Sequence, residues 1–279
     1  MSTSPPTSQW QRLLKNVGTW QGSFTQLSAQ GEVISNMPTE VALISQADDQ
    51  AMRQEIHRYP PGQDKQSTIL EYRSLNRATV FFENGAFSQG SIQWGPFSEF
   101  GAELGFIAGS RRLRIVQLFA QASHEFKQLT LIREQLKGTD TPEKPPLTLN
   151  DLIGTWQGEA LTQYADLRPQ TTQATQLSIE ILSANQIRQT IQLPNLPPIT
   201  SIGSVAGQVI SFDGGSQPVQ VLLLPDGASA TCPKRIIPRQ PLFLEAGWLI
   251  DSHTRQRMIR SYDTSGAWLS LTLVTEHKI

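Results

Sequence analysis

Two stretches of this chain carry arginine in strand-like alternation. In Arg112-Leu113-Arg114-Ile115-Val116-Gln117-Leu118-Phe119, Arg112 and Arg114 fall on one face, with Gln117 and Phe119 on the other. In Arg255-Gln256-Arg257-Met258-Ile259-Arg260-Ser261-Tyr262, Arg255 and Arg257 share a face, and Met258, Arg260 and Tyr262 share the opposite one. Paired guanidiniums suit one kind of chemistry well: forking a ligand carboxylate. That use requires the arginine face to point into an enclosed space. The same pattern equally suits a solvent-facing strand of a half-buried sheet. Arg112, Arg114, Arg255, Arg257, Arg260 and Tyr262 are the candidate ligand-binding residues. The second stretch is the richer, since Arg260 and Tyr262 add donors where the first has Gln117 and Phe119.

Other chemistry is sparse. His57, His124, His253 and His277 are far apart and Cys232 is the lone cysteine, so no zinc spacing exists and no metal is expected. Gly203-Ser204-Val205-Ala206-Gly207 lacks the glycine two before the serine that a nucleophile elbow needs. No phosphate-cradling loop is present, and no catalytic residue is assigned. Cys232 precedes Pro233-Lys234, and a nearby lysine can lower a thiol's pKa, which would suit a transient thioether with a reactive ligand. An ordinary unpaired thiol is the simpler reading.

The elements that position these residues come in two sets. Gly18-Thr19-Trp20-Gln21-Gly22 recurs as Gly154-Thr155-Trp156-Gln157-Gly158. Further anchors keep the same order. Met52-Arg53-Gln54-Glu55-Ile56 matches Ile187-Arg188-Gln189-Thr190-Ile191, and the two arginine stretches match each other. Leu129-Thr130-Leu131-Ile132-Arg133-Glu134 matches Leu271-Thr272-Leu273-Val274-Thr275-Glu276. This is one domain duplicated, not a solenoid of short repeats. Trp10, Leu13, Leu14 and Val17 form the stripe of a short helix that Ser8 can cap, before the first Gly-Thr-Trp. Leu147, Leu149, Leu152 and Ile153 precede the second. Short strand-length runs separated by turn residues then follow in each half, Asn84-Gly85 being a hairpin signal. The fold class expected is all-β: two antiparallel barrels, each opened by a helix and a Gly-x-Trp strand. The expected boundaries are a disordered 1–8, a first barrel over 9–136, a Pro-rich linker over 137–146 and a second barrel over 147–279. Trp94-Gly95-Pro96-Phe97-Ser98-Glu99-Phe100 and the Pro-rich 193–198 are candidate covers for barrel mouths, with core packing as the default.

Composition narrows the function classes. Of 279 residues 23 are Lys or Arg and 24 Asp or Glu, a net charge of −1 that gives no reason to expect nucleic-acid binding. No apolar run approaches the ~18–20 residues of a membrane span, and no signal-peptide pattern opens the chain. With one cysteine, a reducing, cytoplasmic location is expected.

The helix, the Gly-x-Trp strand and the run of antiparallel strands resemble the lipocalin or calycin superfamily. The resemblance implies that Trp20 and Trp156 pack at the closed floor of each barrel, with an arginine from a late strand over the ring. Arg133 or Arg114 would do this in the first copy. Arg257 or Arg255 would do it in the second, where Thr275 stands in the place of Arg133. The whole chain looks like a cyanobacterial and plastid family of unknown function with two lipocalin-like domains. It is more distantly similar to S-type phycobilin lyases. That likeness implies a bound bilin or other apolar or amphipathic pigment, the arginines meeting a carboxylate such as a tetrapyrrole propionate. It also implies a photosynthetic or phycobiliprotein partner. Three readings follow: a binding protein, a structural or assembly factor with side-chain-filled barrels, and a chromophore lyase. Phe106, Phe119, Leu222, Leu224 and Trp248 are the residues large enough to fill a barrel in the second.

Overall fold

The computed structural model describes residues 7–279. The expected disordered segment 1–8 thus lies outside them except for its last two residues. Ser8 caps α1 (Gln9–Leu13): its hydroxyl accepts from the Gln11 N–H, and the Gln11 side chain reciprocates. A 3-10 turn at Leu14–Asn16 leads into the first sheet.

That sheet contains β1 (Gly18–Leu27), β2 (Val33–Gln46), β3 (Ala51–Arg58), β4 (Gln66–Tyr72), β5 (Val80–Phe81), β6 (Phe87–Gly90), β7 (Phe100–Ala108), β8 (Arg111–Phe119) and β9 (Phe126–Leu136). Their order is β4-β3-β2-β1-β9-β8-β7-β6-β5, with every pairing antiparallel. β2 begins at Val33, so Pro38 lies inside it. Pro38 is tolerated because it lies at the end of the β2–β3 ladder, where its carbonyl still accepts from Tyr59.

α2 (Leu149–Leu152) opens the second half. It is followed by β10 (Gly154–Tyr164), β11 (Thr171–Ser183), β12 (Gln186–Gln192), β13 (Ile199–Ala206), β14 (Val209–Phe212), β15 (Val219–Leu223), β16 (Ala228–Pro233), β17 (Leu242–Leu249), β18 (Thr254–Tyr262) and β19 (Trp268–Lys278). These ten strands close into a barrel, β19 pairing with β10. The first domain differs: its nine strands curl but do not close, since β4 and β5 do not pair. Residues 137–148, between β9 and α2, are held first by the first domain, through Lys137 N–H to the Thr19 carbonyl and Glu143 to Arg133, and then by the second barrel. The Lys144 N–H donates to Asp226 and the Leu147 N–H to the Leu224 carbonyl.

The duplicated pentapeptide does three jobs. Gly18 and Gly154 turn the chain from helix to strand at φ +141° and +118°. Trp20 and Trp156 are buried, each donating its indole N–H to a carbonyl just upstream, Asn16 at 3.0 Å and Leu152 at 2.9 Å. Gly22 and Gly158 let the last strand approach: a Cβ would sit 1.8 Å from the Arg133 carbonyl oxygen and 2.3 Å from that of Thr275.

The largest apolar core lies between the two domains, not inside either. Phe100, Phe106, Ile115 and Phe119 on the outer face of β7 and β8 pack with Leu222, Leu244, Trp248, Met258 and Tyr262 on the outer face of β15, β17 and β18. The expectation that Phe106, Phe119, Leu222, Leu224 and Trp248 fill the barrels is therefore corrected: all five belong to the interdomain core. Backbone bonds stitch the same seam, among them Trp268 N–H to Ile92, Trp94 N–H to Gly266 and Ile236 N–H to His124. The aromatic loop after β6 serves this seam too. Trp94 packs edge-on to His124, and Phe100 is buried against Tyr262.

Candidate functional site

Alternation along β8 turns Arg112, Arg114 and Val116 into the hollow of the first domain, and the equivalent alternation along β18 turns Arg255 and Arg257 into the second. The first hollow encloses about 730 Å³ and is walled by Phe24, Val41, Ile56, Tyr72 and Phe87 beside the arginines. The second encloses about 370 Å³, with Leu177, Ile187, Ile210 and Val221 in its wall. The larger space is thus in the first copy, although the sequence pointed to the second.

Neither pair of arginines is free. Arg112 Nε donates to Glu134 at 2.7 Å, and Arg114 spans Glu134 at 2.9 Å and Glu103 at 2.7 Å. The second copy repeats this: Arg255 Nε to Glu276 at 2.6 Å, Arg257 Nε to Glu276 at 3.0 Å and Arg257 Nη1 to Glu245 at 3.1 Å. Each arginine cluster is therefore balanced, two cations against two anions; in the first copy Arg58 adds a cation nearby, its guanidinium 5.8 Å from the Phe24 ring centre. Glu134 and Glu276 are fully buried. Burial alone would raise the Glu134 carboxyl; the charges and hydrogen bonds of Arg112 and Arg114 outweigh it and hold it at about 2. Glu276 is lowered for the same reason by Arg257 and Arg255. Burial lowers Arg112, whereas Arg114 ends raised because two carboxylates overcome its burial.

Arg112 and Arg255 also lie over the two buried tryptophans, their guanidinium carbons 4.5 Å from the Trp20 ring centre and 4.6 Å from that of Trp156. A contact of this kind stabilises by ~0.5–2 kcal/mol. Arg112 Nη2 is buried without a hydrogen-bond acceptor, and the indole face beneath the guanidinium is the electron-rich surface available to it. Of the residues proposed to cover the rings, Arg255 does so. Arg133 and Arg114 do not, and Arg257 is held by its two carboxylates. Arg133 points out of the sheet to Glu143 at 2.6 Å, and Arg114 faces Phe24 with its guanidinium 5.5 Å from the ring centre. The last strand alternates so that Glu134, not Arg133, faces inward.

Arg260 and Tyr262 leave the candidate set. Both are buried in the interdomain seam. Arg260 donates to Tyr262 at 2.9 Å and to the carbonyls of Ala78 and Ser91, and it stacks 4.1 Å from the Trp268 ring centre. The Tyr262 hydroxyl donates to the Ser91 carbonyl at 2.9 Å. Met258, Arg260 and Tyr262 share a face as the alternation predicts, and that face meets the other domain. Sequence reasoning missed the four carboxylates. The signal was there: Glu103 and Glu134 recur 142 residues on as Glu245 and Glu276, the latter pair inside a matched anchor.

Cys232 lies in the seam, fully buried, and burial pushes its thiol far above the ordinary range. The reactive reading is corrected accordingly. Native protein is expected to resist a chromogenic disulfide reagent over hours and to release about one equivalent of thiol on denaturation. Fast reaction in the native state would contradict this placement.

Among the described residues, no helix is long and apolar enough to cross a membrane. No curated protein is similar to the chain in sequence. Residues 6–139 match the family model described as the N-terminal part of a domain of unknown function, DUF3598. Residues 143–279 match the model described as "Biogenesis factor required for ATP synthase 1, C-terminal domain". The crystal structure of a DUF3598 protein of unknown function from Nostoc punctiforme shares 47% identity. That match covers 98% of this chain and 100% of that one, with a TM-score of 0.93. An S-type phycobiliprotein lyase from Guillardia theta is a distant neighbour: 10% identity over 47% of this chain and 89% of that one, TM-score 0.35. With near-half identity over the full length of the Nostoc protein, the chain belongs to the DUF3598 family.

Proposed function

We propose that the protein is a biogenesis factor for ATP synthase, acting as a two-domain unit that holds a client polypeptide on its outer surface. The observation that carries this reading is the match of residues 143–279 to the C-terminal domain of such a factor. The geometry suits it. The shared core joins the domains into one unit, and the inward arginines are already neutralised by carboxylates. Apolar side chains such as Ile34, Ile69 and Ile202 stay more than half or about half exposed on the outside. In the native host, deletion of the gene is expected to lower the amount of assembled ATP synthase on native gels, with restoration by the intact gene. An unchanged amount would contradict the reading.

A second reading is favoured by the hollow of the first domain. Its volume, about 730 Å³, lies within the range of small-molecule pockets, roughly 300–1,000 Å³. An apolar wall with Gln54, Gln89 and the Arg114–Glu103 pair suits an amphipathic molecule. Because Arg112 and Arg114 are already paired with Glu134 and Glu103, a hydrogen-bonding head suits them better than a free carboxylate. Incubation with phycocyanobilin, biliverdin, a carotenoid or fatty acids is expected to leave one of them bound, and Ile56→Trp, which fills the hollow, to abolish this. No retained ligand and no spectral shift would remove the reading. Transfer of a bilin to a phycobiliprotein would extend it, and a zinc-fluorescent acceptor band after co-expression is the result that extension needs.

A further inference from the structure

The two copies differ most where the first fails to close. β13 corresponds to β4, since Ile187 pairs with Gly203 as Met52 pairs with Tyr72. β13 runs on to Ala206, turns and returns as β14, which pairs with Ser204 to Ala206 and completes ten strands. After Tyr72 the first copy instead bends through residues 73–79 and pairs again only at β5. Nine strands in an all-antiparallel order leave the two edge strands, β4 and β5, running parallel to each other. One more strand, antiparallel to β4, restores the alternation that lets the second copy close.

The two edges are treated differently. At β5 the Phe81 N–H donates to Gln9 at 2.6 Å, and its carbonyl accepts from Gln9, Arg12 and Gln163. That edge is covered by α1 and the second domain. At β4, among the described residues, no hydrogen bond reaches the outward backbone groups. The Tyr59 to Pro38 bond sets the phase of the β2–β3 ladder, so Ser67, Ile69 and Glu71 each turn one N–H and one C=O outward from the sheet. The strand has no lysine, proline or bulge to guard against edge pairing, and its one charged residue, Glu71, is neutralised by Arg53 of β3. Ile69 and Leu70 are instead 50% and 47% exposed, one on each face. Leu70, Tyr72 and Leu75 also line the hollow, so a strand added here borders it. Beyond the end of β4 the exposed Arg73 forms no ion pair among the described residues, whereas Arg77 donates to the Ala165 carbonyl at 2.9 Å and Glu71 is taken by Arg53 at 2.6 Å.

We propose that the open edge of β4 docks one extended segment of a partner polypeptide, added antiparallel to Gln66–Tyr72 as a tenth strand. Its inward side chains are apolar and alternate toward the rim of the hollow. An acidic residue near its N-terminal end meets Arg73. Main-chain bonds supply affinity and the alternate side chains supply specificity. The proposal does not rest on the ATP synthase reading, because the edge exists whatever the client.

The test pans a phage-displayed library of short random peptides against the full-length protein. It then compares the enriched peptides on wild type and Ile69→Pro. A proline at residue 69 removes an outward N–H and leaves the β3–β4 ladder its bonds. The expected result is a family of alternating apolar peptides with an N-terminal acid, bound about tenfold more weakly by the variant, the effect of one lost hydrogen bond of about 1.4 kcal/mol. Hydrogen exchange on wild type gives a second readout that does not depend on the variant folding: the enriched peptide slows the amides of Ser67, Ile69 and Glu71. No enriched family, equal binding to folded Ile69→Pro, or protection elsewhere would overturn the proposal. A wild-type dimer that Ile69→Pro turns into a monomer would assign the edge to a second copy and overturn it as well.

Discussion

Glu134→Gln is expected to destabilise the protein by about 3–5 kcal/mol, the usual cost of removing one partner from a buried ion pair. Glu134 is fully buried and is the shared acceptor of Arg112 and Arg114. Glutamine matches its shape but leaves two buried guanidiniums facing each other with only Glu103, itself partly exposed, to balance them. Arg112 then loses what holds it over Trp20, and the packing around that ring loosens. Glu276→Gln repeats the effect in the second barrel through Arg255 and Arg257. Glu103→Gln costs less, since its carboxylate reaches solvent. Denaturant titration followed by tryptophan fluorescence measures the difference; a loss below about 1 kcal/mol for Glu134→Gln would contradict the pairing. Acid gives an independent check. The folded Glu134 is depressed from 4.5 to about 2, so its stabilisation is complete above pH 4.5 and is lost as pH falls toward 2. The gap between wild type and Glu134→Gln should therefore narrow on acidification through that window. A gap that widens there would show the wrong sign.

Trp248→Ala is expected to cost a similar amount, about 3–5 kcal/mol, and to change the form of unfolding as well as its midpoint. Trp248 is fully buried, packs toward Phe106 across the seam and donates its indole N–H to the Asp226 carbonyl at 2.9 Å. Asp226 in turn holds Arg111 of the first domain at 2.8 Å. One side chain thus supports both the apolar and the charged parts of the joint. Because the largest core is shared, wild type should unfold in a single calorimetric transition. The variant should show two, as each domain retains only its smaller inner cluster. A single sharp transition in the variant would mean that the domains are coupled by something else.

The duplication was legible because each residue of Gly-Thr-Trp-Gln-Gly that matters has a separate backbone or packing duty, and both copies need all of them. The split of the arginine strands into two faces was equally legible, since alternation is fixed by the pleat. Which face turned inward was not. Both faces of β8 and β18 are buried, one against the hollow and one against the other domain, so polarity did not separate them. Arg260 and Tyr262 look like ligand donors for the same reason that they make good seam residues: they are strong donors suited to buried carbonyls. The Trp20 partner was misplaced onto Arg133 and Arg114 because the lipocalin likeness says only that a late strand supplies it. The register, with Arg112 opposite Glu134 on β9, decides the matter. The open first sheet was hidden too. The turn residues of 73–79 resemble any other loop, and only the pairing shows that no strand joins the outer edge of β4.

The most direct test of the functional proposal is the rate at which newly made ATP synthase subunits enter the complex in cells with and without this protein. Pulse-labelling followed by native separation reads it. The proposal predicts normal synthesis of the subunits and slow, incomplete entry into the assembled enzyme when the protein is absent. Equal rates of entry in the two strains would contradict it.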